Sequence, residues 1–93
     1  MKLTELARKH NVSYMSLYNS RAGGGYMYKA IALREKLGDY GKDINPSDIE
    51  LANFHNKTRQ AIWRSKKDGG YAYEMYLLKY RQHKKMLEER KGD

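Results

Sequence analysis

Residues 5–13 read ELARKHNVS, and residues 50–58 read ELANFHNKT. The two stretches lie forty-five residues apart, and the match runs on through Ser20/Ser65, Gly24-Gly25/Gly69-Gly70, Tyr26/Tyr71, Tyr28/Tyr73 and Leu33/Leu78. Of the twenty-nine positions in 5–33 set against 50–78, eleven are identical. Some of the others change conservatively, as in Leu17/Ile62 and Arg21/Lys66. A fixed internal period governs the reading of the fold, because each copy is then one supersecondary unit that shares its core with its neighbour. A unit this short is near the lower limit for independent folding, so the halves are expected to bury apolar surface against each other.

Helical spacing dominates both copies. Leu3, Leu6 and Ala7 form one apolar stripe, and Ile49, Leu51, Ala52 and His55 or Phe54 form its counterpart. Asn45-Pro46-Ser47-Asp48 predicts a helix start with an asparagine cap, proline at the first helical position and a carboxylate at the third. Each opening helix is expected to stop near Asn11 or Asn56, since asparagine is the commonest residue after glycine to accept positive φ. Ser13 and Thr58 then cap a second short helix, which carries Leu17 or Ile62 inward and ends at Ser20 or Ser65. A glycine-rich break follows in each copy, and third helices begin at Tyr26 and Tyr71, the first to Leu37 and the second towards Arg90. β-Branched residues are few and no period-two run persists. The expectation is an all-α protein of two tandem three-helix units: 1–38, a polar linker at 39–44, and 45–93 with an extended C-terminal helix.

Leu6-Ala7, Asn11-Val12-Ser13 and Leu17-Tyr18 together resemble the helix-turn-helix of bacterial and phage DNA-binding proteins. The stretch from Ser16 to Arg21 before a glycine turn is also similar to small phage regulators and to the helix-turn-helix modules of homing endonuclease tails. Asn11 and Asn56 stand where those families usually have glycine, and His10 and His55 stand where they usually have an apolar residue. Lys57 replaces the Val12 of the first copy. The resemblance implies that the second helix of each unit enters the major groove of a DNA duplex, with the two reading helices about 34 Å apart along it.

Ser13, Tyr14, Met15, Ser16 and Asn19 are then the base-facing candidates of the first unit, and Thr58, Arg59, Gln60, Ala61 and Arg64 those of the second. Arg59 and Arg64 suit guanine O6 and N7, and Gln60 suits adenine N6 and N7. Tyr14 and Met15 offer apolar contact to a thymine methyl or to a protein partner, so the second unit is expected to supply most base discrimination. Arg21, Lys57, Lys66 and Lys67 are the phosphate candidates. The net charge of +8 divides evenly, eight basic and four acidic groups in 1–45 against eleven and seven in 46–93. Two equal surfaces facing a polyanion are expected from that balance.

Other features read as structural. Most tyrosines fall in the third helices and are expected in the core, while Tyr18 and Trp63 fit either packing on the third helix or contact with the sugar-phosphate backbone. His10 and His55 lack ligand partners at metal spacing and read as half-buried histidines bonded to a nearby carbonyl; His83 reads as solvated. No catalytic set, cofactor, metal or small-molecule site is expected. Cysteine is absent, no secretory signal is evident, and no apolar run approaches a membrane span, so a cytoplasmic, DNA-associated protein is expected. Leu78, Met86 and Leu87 with Met75 and Tyr76 suggest a homodimer through the C-terminal helix. The functional expectation is a sequence-specific regulator of transcription acting as a repressor. An accessory DNA-targeting module related to endonuclease tails, an RNA-binding adaptor and a protein-interaction repeat stay open beside it.

Overall fold

The computed structural model describes residues 2–91, so residue 1 and residues 92–93, the outer ends of the two expected units, lie outside the described residues. Among the described residues there are six α-helices and no strand: α1 Leu3–Lys9, α2 Tyr14–Gly23, α3 Tyr26–Leu37, α4 Asp48–His55, α5 Arg59–Lys67 and α6 Tyr71–Lys91. No helix is long and apolar enough to cross a membrane, among the described residues.

The turns repeat in chemistry as well as in position. Asn11 and Asn56 both take left-handed backbone, with φ of 55° and 54°. The amide after each reaches back to the alanine carbonyl five residues earlier, Val12 to Ala7 at 2.9 Å and Lys57 to Ala52 at 2.8 Å. Each helix end is thereby closed by a six-residue loop that satisfies otherwise orphaned carbonyls. Ser13 and Thr58 then start α2 and α5, their hydroxyls accepting from the amides of Ser16 and Ala61. After each second helix the chain turns through a left-handed glycine, Gly24 or Gly69, with φ of 70° and 66°. Gly25, the N-cap of α3, supplies no side-chain cap; Ser20 of α2 substitutes, its Oγ accepting from the Tyr28 amide at 2.9 Å.

Two expectations shift. α2 and α5 run past Ser20 and Ser65 to Gly23 and Lys67, because the first backbone reversal comes only at Gly24 and Gly69. The cap of α4 is Ser47 rather than Asn45, and Pro46 precedes the helix instead of opening it. A capping box explains the change: Ser47 accepts from the Glu50 amide while the Glu50 carboxylate accepts from the Ser47 amide. Asn45 is engaged elsewhere, its Oδ1 accepting from Arg81 at 3.1 Å. Arg81 also donates to the Ile44 carbonyl at 2.8 Å, and Gly41 is buried against it. The segment between α3 and α4 therefore lies docked along α6.

Two apolar clusters form the interior. Leu6, Ala7, Leu17 and Ile31 make one, from α1, α2 and α3. Leu51, Ala52, Ile62, Met75, Tyr76 and Tyr80 make the other, from α4, α5 and α6, and Ala30 of α3 joins it. The widest contact between helices is that of α3 with α6. Tyr71 packs against both clusters, and Tyr26 meets Tyr76 edge to face with ring centroids 6.0 Å apart. Of the expected first stripes, Ile49 and Phe54 stay largely exposed while Leu51 and Ala52 are buried. Met75, Tyr76 and Leu78, three residues of the stripe expected to pair with another copy, are buried within this chain.

A polar chain runs beside the apolar contact. Arg34 of α3 forks onto Glu74 of α6, with Nη2 2.6 Å from Oε2, and its Nη1 donates to His10 Nδ1 at 3.2 Å. A carboxylate oxygen only accepts, so the His10 Nε2–H donates to Glu35 Oε1 at 2.8 Å. Lys9 completes the chain on Glu35 at 2.9 Å. His10 thus meets side chains rather than the carbonyl expected for it, whereas its repeat mate His55 does donate to a carbonyl, that of Tyr76, at 2.8 Å. In both copies a histidine ties the first helix to the third.

Asn56→Ala is expected to cost about 1 kcal/mol of unfolding free energy, because a plain β-carbon is disfavoured in left-handed backbone, whereas Asn56→Gly should be neutral or better. Urea titration of both variants measures this; equal stability of the two would remove the turn argument. Acid should weaken the fold through two carboxylates. Lys9 and then His10 hold Glu35 below the usual carboxylate range, and the Tyr80 hydroxyl and then the Ser47 amide do the same for Glu50. Folded values below unfolded ones give stability that is whole above about pH 4.3 and is lost as pH falls through the folded values. Thermal midpoints should therefore drop below that pH, and the drop should flatten in Glu35→Gln and Glu50→Gln.

Candidate nucleic-acid interface

α2 and α5 are short helices held from behind by a single fully buried residue each, Leu17 and Ile62. At about 100° of rotation per residue, Met15, Asn19 and Ala22 lie opposite Leu17, and Gln60, Arg64 and Lys67 lie opposite Ile62. All six are exposed. Tyr18 and Trp63 stand on the rim of those outward faces, 49% and 50% exposed, and neither joins an apolar cluster.

The expected base-facing residues separate into two groups. Tyr14, Met15, Ser16, Asn19, Arg59, Gln60 and Arg64 are exposed, and so is Ala61. Arg59 stands nearer the flank, only about 60° from Ile62, so Gln60 and Arg64 form the centre of the α5 face. Ser13 and Thr58 are exposed too, but their oxygens are engaged in capping, at 3.4 Å and 3.1 Å from the amides they accept. Their first task is to start the helices.

Of the expected phosphate residues, Arg21, Lys57 and Lys67 are exposed on the helix ends. Lys66 is drawn to the flank, its Nζ 3.9 Å from Asp48 of α4 and 5.8 Å from the Tyr73 ring centroid. Lys67 lies over the Trp63 ring at 4.9 Å, a cation–π arrangement that holds an ammonium beside the exposed indole.

Charge does not follow the even division between halves. Residues 57–67 carry Lys57, Arg59, Arg64, Lys66 and Lys67 with no acidic group, whereas 12–22 carry Arg21 alone. The α2 face is instead aromatic and neutral, with Tyr14 stacked on Tyr18 at 6.3 Å. Counting charge by half conceals this, because the balance of the first half sits on α1, α3 and the segment after it. The aromatic pair at 18 and 63 and the concentration of cations on α5 were the signals that a residue count by helix exposes. No family model, curated protein or solved structure matches this chain.

Thr58→Ala should destabilise the protein by about 1 kcal/mol through loss of the α5 cap, with Thr58→Asp retaining most of the stability. Urea unfolding provides the measurement. An alanine variant as stable as the parent would show that the hydroxyl is free for other work.

Proposed function

We propose that this chain is a sequence-specific double-stranded DNA-binding protein, built as two tandem helix-turn-helix units and regulating transcription by repression. The observation that carries the reading is the outward face of α5: Gln60, Arg64 and Lys67 exposed together opposite one buried anchor, within a run of five cations and no acid. A polyanion is the partner such a surface attracts. A short helix standing proud of its scaffold is the shape the major groove admits.

In this reading Arg64 pairs with guanine O6 and N7 and Gln60 with adenine N6 and N7. Lys57, Lys67 and Arg21 meet phosphates and set the register, with Arg59 and Lys66 at the flank of the same helix. α2 contributes a second, weaker contact through Tyr14, Met15, Ser16 and Asn19. Because the two faces differ, the two half-sites differ. Repression follows from occupancy alone, since a protein lodged on a promoter excludes polymerase without further chemistry.

Selection of bound sequences from random duplex DNA, followed by salt titration, tests the reading. A defined site should emerge, with log affinity falling by about 0.9 per phosphate neutralised for each unit of log salt. Arg64→Ala should relax one guanine position, at a cost of about 1–3 kcal/mol. Lys57→Ala should weaken all sequences evenly and shallow the salt slope. Base preference unchanged after both Arg59→Ala and Arg64→Ala would reject the assignment, and equal competition by structured RNA at matched salt would replace duplex DNA with RNA.

A further inference from the structure

Tyr18 and Trp63 occupy the same place in the two copies, one residue past the buried anchor, and each is about half exposed. Core packing accounts for the identical pairs Leu6/Leu51 and Ala7/Ala52, which are buried in both clusters. It does not account for these two rings. Around them the neighbouring positions changed character, Tyr14 to Arg59, Met15 to Gln60 and Asn19 to Arg64, while an aromatic stayed at 18 and 63. Tyr18 is stacked on the exposed Tyr14, and apolar surface exposed in a group rather than singly suits a contact made outside the chain.

We infer that the Tyr18 and Trp63 rings contact thymine 5-methyl groups in the major groove, making them determinants of thymine positions in the recognised site. This rests on the duplex-reading role of α2 and α5 proposed above. The Tyr18 hydroxyl and the Trp63 indole N–H can each donate to a phosphate, but that leaves the apolar area of the rings without a partner, and in a stacked duplex the base faces are covered. The apolar group that the major groove offers is the thymine methyl. Each ring has a neighbour on its own helix, Tyr14 stacked on Tyr18 at 6.3 Å and the Lys67 ammonium over Trp63 at 4.9 Å. Such neighbours limit their freedom and lower the entropy lost on contact. The five cations on and before α5, with no acid among them, favour a polyanion over a second copy of a chain that itself carries +8.

Trp63 is the sole tryptophan, so its emission reports on this position alone. The experiment replaces each thymine of the selected duplex in turn with deoxyuridine, which removes only the methyl, and measures affinity for the intact protein and for Trp63→Ala. One or more positions should weaken binding by about fourfold with the intact protein, the value of one buried methyl-sized group. Each such position should fall silent either in Trp63→Ala or in Tyr18→Ala measured beside it, and Trp63 emission should change on duplex binding. Trp63→Phe, which keeps a ring, should keep the methyl dependence, and the deoxyuridine series on the intact protein needs no variant to fold. Salt-sensitive duplex binding with every deoxyuridine silent, or with equal losses in the intact protein and in both alanine variants, overturns this inference and leaves the duplex reading intact. Absence of duplex binding removes both. Loss of self-association in Trp63→Ala, with duplex affinity unmoved, would assign the ring to a second copy and overturn the thymine contact.

Discussion

The contact between α3 and α6 is the constraint on which the other parts depend. Three short helices bury too little surface to stand alone, and here each half borrows from the other. Ala30 of α3 is fully buried within the cluster of the second half, and Tyr71 of α6 packs against both clusters. The repeat sets Ala30 against Met75, and both lie in that one cluster, a small residue and a large one sharing space. Tyr26 touches Tyr76, while Tyr71, the repeat mate of Tyr26, packs on the cluster that holds Ile31, the mate of Tyr76. The halves thus exchange equivalent contacts. The Arg34–Glu74 fork beside them is partly open to solvent, so its net energy is modest; its paired geometry serves better to fix the register of α3 on α6. Hydrogen bonding to Tyr26, followed by desolvation, pushes the Tyr76 phenol up to about 12.

Given that junction, α2 and α5 need little to hold them. One buried anchor, a capped start and a left-handed exit hold each helix, with Ser20 and Lys66 adding flank contacts, and leave the outward faces without a contact in the clusters. Full burial of a Leu or Ile side chain contributes about 1.5–3 kcal/mol, enough to seat a helix of two or three turns when its neighbours are already fixed. The exposed faces were therefore free to diverge. They did: the inward positions of the two copies are Leu17 and Ile62, near equals, whereas the outward ones are Met15 and Gln60, Asn19 and Arg64, Ala22 and Lys67.

How far the sequence discloses the fold depends on the range of the interaction involved. Asn11 and Asn56, Ser13 and Thr58, and the glycines before Tyr26 and Tyr71 act within a few residues of themselves, and all were legible as turns, caps and breaks. Six helices at nearly the expected places follow from those signals. What was not legible depends on distant partners. Ser47 displaces Asn45 as a cap partly because Arg81, thirty-six residues on, engages the asparagine. The linker reads as polar and loose, yet Ile44 packs on the core and Arg81 holds its carbonyl. His10 and His55 look alike in sequence, but Arg34 and Glu35 stand beside the first, while a backbone carbonyl meets the second. At the candidate interface, exposure of Tyr18 and Trp63 could not be read from pattern, because an aromatic one step from an apolar anchor fits a core rim as well as a surface.

Charge gives the clearest division of labour between the copies. An electrostatic surface attracts a polyanion from a distance and loses force as salt rises, with a Debye length of about 8 Å at physiological ionic strength. The 57–67 run has that character, and the α2 face, with Tyr14, Met15 and Tyr18 exposed and Arg21 its one cation, does not. Whatever α2 meets, contact with it depends on close fit and burial of apolar surface, which screening leaves almost untouched. The repeated helices thus present faces of different kinds, one densely cationic and one mostly apolar with a single cation.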